Sequence, residues 1–174
     1  NKVFEVIEAC KLFSFNKKKY NILIHPQSYV HSIIRFKNGL VKMILHVPDM
    51  KIPISHTLLN SKVYNKKVKN IDPKTLNKLN FQKVNIKQFP SQKLIGKCLN
   101  GGYLAPTIVN ASNEVLVDLF LNNKIKFTDI VKNISKLFKH RDFKKYAKKK
   151  PMTIKDIEIA DNWARLKTID MCVR

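Results

Sequence analysis

The sequence predicts an α+β fold: helix and strands over the first third, a linker, and a small helical bundle to the C-terminus. Three observations carry this. Short β-rich runs flank an Asn38-Gly39 dipeptide, a lysine- and asparagine-rich stretch with weak periodicity follows, and helical spacing of apolar residues dominates from Pro90 onward.

Val3, Phe4 and Ile7, then Leu12 and Phe13, recur at roughly helical spacing, while Asn1, Lys2 and Glu5 share another side of the first turns. Residues 21–24 and 30–36 read as strands. Lys37-Asn38-Gly39 supplies the turn that favours a tight hairpin into residues 40–47. Pro48 and Pro53 lack backbone donors, so residues 48–53 are expected to form a shaped loop, with a short helix over 54–59. Residues 60–85 are expected to be a linker. Helices are predicted over 92–99, 106–121, 127–138 and 154–173, with a break at Gly101-Gly102 and a loop over 139–150. Thr153 and Asp156 have the spacing of a hydroxyl cap and an acid three residues on.

The chain has 174 residues and is 44% hydrophobic, enough for a real core. It opens on Asn1, directly inside a helical pattern, which we read as a cut end. No apolar run reaches the roughly 18 to 20 residues of a membrane span. Cys10, Cys98 and Cys172 are widely spaced and form no zinc-ligand pattern, so reduced thiols in a cytoplasmic protein are expected. The net charge of +22 raises one rival function, a basic nucleic-acid-binding protein. Of the 34 basic residues, however, only Arg35, Arg141, Arg165 and Arg174 are arginine, the residue that base and phosphate readout favours. The lysine runs are also scattered instead of lining one helix face, so nucleic acid ranks below an enzyme with a biased composition.

No glycine-rich phosphate loop occurs, since the glycines are Gly39, Gly96, Gly101 and Gly102. Chemistry is left to the polar first turn and to residues 24–54. Free amides at a helix start favour an anion, to which Asn1 and Lys2 add donors, and Glu5 offers a hard oxygen suited to magnesium or manganese. By spacing alone, Lys2 and Glu5 equally describe a surface ion pair, the two histidine clusters a satisfied rim, and Pro48 and Met50 a packed loop.

Four segments change that weighting: Asn1-Lys2-Val3-Phe4-Glu5, His25-Pro26-Gln27-Ser28-Tyr29-Val30-His31-Ser32, Val47-Pro48-Asp49-Met50 and Asn110-Ala111-Ser112-Asn113-Glu114. In this order, with residues 122–130 behind them, they resemble the 1-deoxy-D-xylulose 5-phosphate reductoisomerase family over nearly the whole chain. The resemblance implies an NADPH-dependent, metal-dependent enzyme of isoprenoid biosynthesis, using manganese or magnesium, with cobalt as a further candidate. It also implies a homodimer and a small sugar-phosphate substrate. Asn1, Lys2 and Glu5 are implied substrate ligands, Glu5 also a metal ligand, and Ser28, Pro48 and Met50 the border of the nicotinamide. His31 is implied as the pocket histidine of the catalytic centre. Residues 1–59 would then be the C-terminal part of a mixed α/β catalytic domain, 60–85 its linker and 86–174 a helical domain, with the N-terminal Rossmann domain absent. The family usually has a small residue at Val3, Gln and Gly at Ile44 and His46, and Trp-Pro at Asn60-Ser61. Neutral drift and a decaying gene both fit these departures, and we favour an enzyme still under selection because Asn1, Lys2 and Glu5 are intact.

Overall fold

A computed structural model describes residues 1–14, 20–59 and 71–172. Its contacts divide the chain into two compact units, Asn1–Asn21 with Asn85–Arg174, and Ile22–Val84.

The first unit is helical. Helix α1 (Lys2–Leu12) packs on α4 (Gln92–Asn100). Val3, Phe4 and Ile7 give α1 one apolar stripe, and Ile7 is buried with Leu94, Cys98, Val109 and Leu116. Leu12 and Phe13, which share the spacing, are exposed. Burial pushes the Cys98 thiol up to about 12, which keeps it protonated and inert. Helix α5 (Ala105–Leu121) is central, touching α4, α6 (Phe127–Leu137), α7 (Phe143–Ala147) and α8 (Ile154–Cys172). Small residues make its closest approach possible: Ala105, Ala111, Ala160 and Ala164 share one buried cluster between α5 and α8. Two polar residues are buried there without penalty, because the Ser112 hydroxyl donates to the Ile108 carbonyl (2.8 Å) and the Thr168 hydroxyl to that of Ala164 (2.7 Å).

Helix α7 lies where a loop was expected. Phe143, Tyr146 and Ala147 form an i, i+3, i+4 stripe, and Phe143 and Ala147 are buried, but the surrounding lysines mask that period in the sequence. The Gly101-Gly102 break is a close approach. Gly102 has φ +123°, and a Cβ there would lie 2.3 Å from the Ala147 carbonyl oxygen.

The start of α8 carries the expected pairing of Thr153 with the acid three residues on. The Asp156 carboxylate accepts from the amides of Met152 (3.0 Å) and Thr153 (3.1 Å) and from the Thr153 hydroxyl (3.2 Å), and it pairs with Lys149 at 2.6 Å. The hydrogen bond from Lys149, followed by the two amides, holds this carboxyl well below its ordinary value of 3.8. A depressed carboxylate stabilises the fold above its unfolded value and loses that contribution as pH falls through the folded one. Asp156→Asn should therefore melt earlier than wild type at neutral pH, with the gap closing as the pH drops below 3.8. Melting curves across that range check this, and a gap independent of pH would refute the charge-based account.

The second unit carries two small antiparallel sheets. Strands β2 (Val30–Arg35) and β3 (Val41–Leu45) form the expected hairpin, with Ile33 opposite Met43 and Arg35 opposite Val41. The turn closes through Phe36 N–H to Leu40 O (2.8 Å) and Leu40 N–H to Asn38 Oδ1 (3.1 Å), and Gly39 takes φ +90°. The ladder slips between Val30 and Ser32, so that His31 is an extra residue in β2 with no partner opposite it.

Two expectations change in this unit. Helix α2 (Lys51–Leu59) starts three residues earlier than the proline pair suggested. Asp49 Oδ1 accepts the Lys51 amide (2.9 Å), and Pro53 falls in the first turn, where a missing donor removes no helical bond. Of the expected linker, residues 60–70 lie outside the described part. Residues 71–84 contain α3 (Pro73–Leu76), capped by Asp72, and β4 (Gln82–Lys83), which pairs with β1 (Leu23–Ile24).

Candidate functional site

The residues singled out in the sequence fall into two groups, one on each unit. Asn1, Lys2 and Glu5 belong to the first. Asn1 is the N-cap of α1, its carbonyl accepts the Glu5 amide (3.0 Å), and its side chain makes no capping bond. The first-turn amides therefore remain available to an anion. Lys2 Nζ sits 2.5 Å from Glu5 Oε2, with the two side chains 62% and 51% exposed. Both readings of this pair thus describe the same geometry without ligand: an i, i+3 ion pair on an accessible helix start. Any ligand that engages Lys2 and Glu5 separately must first part them, and at such exposure the pair itself is worth well under about 1 kcal/mol.

Glu5 is one carboxylate, and among the described residues no three His, Cys, Asp or Glu side chains gather. The described residues therefore do not hold a divalent ion by themselves, since such an ion takes about six oxygens.

In the second unit Ser28 lies in a turn, His31 near the start of β2, and Pro48 and Met50 in the segment between β3 and α2. Ser28 closes a turn, its amide donating to the His25 carbonyl (3.0 Å), with φ +57° in the left-handed region. Serine adopts that conformation only when its surroundings impose it. His31, at the bulge, stacks on His46 with ring centroids 3.7 Å apart and planes 17° from parallel. Its Nε2 donates to the His46 carbonyl (3.1 Å), and His46 Nδ1 donates to the Val47 carbonyl (2.6 Å). Because carbonyl oxygens only accept, His31 Nε2 and His46 Nδ1 each carry a hydrogen in these contacts. Pro48 and Met50 follow at once and are exposed, Met50 by 69%. A Met this open is not core filling.

Sequence reasoning missed one part of this arrangement: His46, read as a departure from the family pattern, fixes His31 through its ring and carbonyl. In the first unit, the Asn110–Glu114 segment ties two helices together. Asn110 Nδ2 donates to Glu114 Oε1 (2.8 Å), and Arg165 on α8 bridges Glu114 (2.6 Å) and Asp161 (2.6 Å).

The first unit thus carries an exposed cationic helix start, and the second a bulged histidine and a serine turn at positive φ. Comparison with known proteins shows the family. The family described as "DXP reductoisomerase C-terminal domain" matches residues 45–167, and the chain belongs to this family. Over 173 residues it is 43% identical to the 1-deoxy-D-xylulose 5-phosphate reductoisomerase of Pelagibacter ubique, covering 99% of this chain and 45% of that protein. The Zymomonas mobilis enzyme of the same name is 34% identical over 166 residues, covering 95% of this chain and 42% of that one. The chain thus spans under half the length of these relatives. Among solved structures, the Zymomonas mobilis enzyme in complex with NADPH superposes with a TM-score of 0.87 at 33% identity, covering 99% of this chain and 44% of that one. A DOX-P reductoisomerase in complex with NADPH, fosmidomycin and magnesium gives 0.91 at 28% identity, covering 99% and 43%.

Proposed function

We propose that this chain is the C-terminal part of a reductoisomerase that converts 1-deoxy-D-xylulose 5-phosphate to 2-C-methyl-D-erythritol 4-phosphate in isoprenoid biosynthesis, using NADPH and a divalent metal. The observation that carries the reading is the match over 99% of the chain to relatives of that name, with Asn1, Lys2 and Glu5 intact at an accessible helix start. In this reading Lys2, Asn1 and the first-turn amides of α1 bind the substrate phosphate and neighbouring hydroxyls. Glu5 supplies one metal carboxylate, and the other ligands come from residues outside the described set. The ion when bound polarises substrate oxygens during the rearrangement. Ser28, Pro48 and Met50 border the nicotinamide and exclude water from it, and His31, held by His46, lines the same pocket. Residues 1–59 act as the end of the catalytic domain and 86–174 as a supporting helical domain. The working enzyme is a cytoplasmic homodimer.

The test is turnover by the full-length gene product. NADPH absorbance should fall only when 1-deoxy-D-xylulose 5-phosphate is present, chelation should abolish the fall, and manganese or magnesium should restore it. No substrate-dependent oxidation by a folded product, with either metal, would overturn the proposal.

A further inference from the structure

The turn that presents Ser28 is gripped from outside itself. Gln27 Nε2 donates to the Lys78 carbonyl (2.7 Å), and Gln27 Oε1 accepts from the Asn80 amide (3.3 Å). His25 Nδ1 meets the Asn80 carbonyl at 2.8 Å, which makes Nδ1 the protonated nitrogen. The His25 ring also stacks on Phe81, with centroids 4.9 Å apart and planes 20° from parallel. Just beyond, Leu23 and Ile24 pair with Lys83 and Gln82, so the same segment runs beside the strand that leads into the turn. The Gln27 amide offers one donor and one acceptor to that backbone, as a neighbouring strand would. A glycine at position 28 would reach φ +57° without help, whereas a serine there needs such a grip.

We propose that His25 and Gln27 are positioning residues, which hold Ser28 in its left-handed turn against residues 78–81 and so set the wall of the nicotinamide pocket. This rests on the reading of Ser28 as a pocket residue given above. Neither side chain needs to touch the cofactor. Their effect passes through Ser28, and the segment after α3 is the fixed rail.

The test uses the full-length gene product. Gln27→Ala removes two of the three bonds and should raise KM for NADPH about tenfold, roughly the worth of one to two net hydrogen bonds, with a smaller change in kcat. Hydrogen exchange at the Ser28 and Asn80 amides should accelerate, while the core amides of α5 and α8 stay protected. In a Ser28→Ala background the same change should leave KM where Ser28→Ala placed it, yet still accelerate exchange. His25→Asn, which keeps a donor for the Asn80 carbonyl, should recover most of what His25→Ala loses, and it provides a second variant if Gln27→Ala does not fold. Unaltered exchange at Ser28, or additive effects on KM in the double variant, would overturn the proposal. Should the wild-type protein fail to oxidise NADPH, the functional reading falls, and the exchange data still decide whether the grip holds the turn.

Discussion

Lys2→Ala in the full-length enzyme is expected to lower kcat/KM for the sugar phosphate by at least tenfold, because a charge-assisted contact to phosphate contributes about 1.5 to 3 kcal/mol. Without ligand the ammonium is 2.5 Å from Glu5 and largely exposed, so its loss should leave the melting temperature nearly unchanged. Glu5→Gln complements the experiment. It keeps the side chain's size and removes the anion that a hard cation requires, so the metal concentration for half-maximal activity should rise while folding is preserved. The two variants also compete through each other: Glu5→Gln frees Lys2 from its partner, so substrate affinity at saturating metal should not fall in parallel with metal affinity. Steady-state kinetics against substrate and metal, with melts as control, decides the matter. Near-normal constants for both variants would leave Lys2 and Glu5 as a surface pair.

Gly102→Ala should be the most damaging single methyl group in the helical unit. The added carbon would meet the Ala147 oxygen at 2.3 Å, the Ala147 carbonyl carbon at 2.6 Å and the Lys148 Cα at 2.9 Å, all backbone, so no side chain can swing aside. The Leu104 amide bonds to the same Ala147 carbonyl (2.9 Å), which ties the entry of α5 to the end of α7. Overpacking of about 1 to 3 kcal/mol adds to roughly 1 to 3 kcal/mol for a side chain at φ +123°. A fall in melting temperature of at least about 5 °C follows. Gly96→Ala is the control, since a Cβ there meets nothing within 4 Å and the glycine lies inside α4, where alanine is the better helix former. Equal melting of the Gly102→Ala variant and wild type would contradict the close approach.

How much was legible depended on whether the cause was local. The Asn38-Gly39 turn, the alternation on either side of it and the long periods of α5 and α6 are written in neighbouring residues, and those elements lie where the sequence put them. Helix α7 was hidden because seven basic residues between Lys139 and Lys150 drown a three-residue apolar stripe. The start of α2 was misplaced because proline breaks a helix interior but suits a first turn, and only Asp49 reveals which applies. Strand β4 could not be read at all: two residues, Gln82 and Lys83, become a strand through pairing with β1. The site shows the same division. Lys2 and Glu5 come together by helical spacing alone, which a reader can compute. The grip of Gln27 on Lys78 and Asn80 spans some fifty residues and leaves no periodic trace. The contact of His31 with His46 depends on a ladder slip that no spacing rule announces.

That slip also changes how the hairpin can vary over time. Residues facing each other across a ladder interact through their side chains. Ser32 with Ile44, Ile33 with Met43 and Ile34 with Lys42 are bound in this way, each a small two-letter word. His31 has no letter opposite it. It is fixed instead by the ring and carbonyl of His46, just past the end of β3, so exchanges within the ladder pairs leave the hold on position 31 in place.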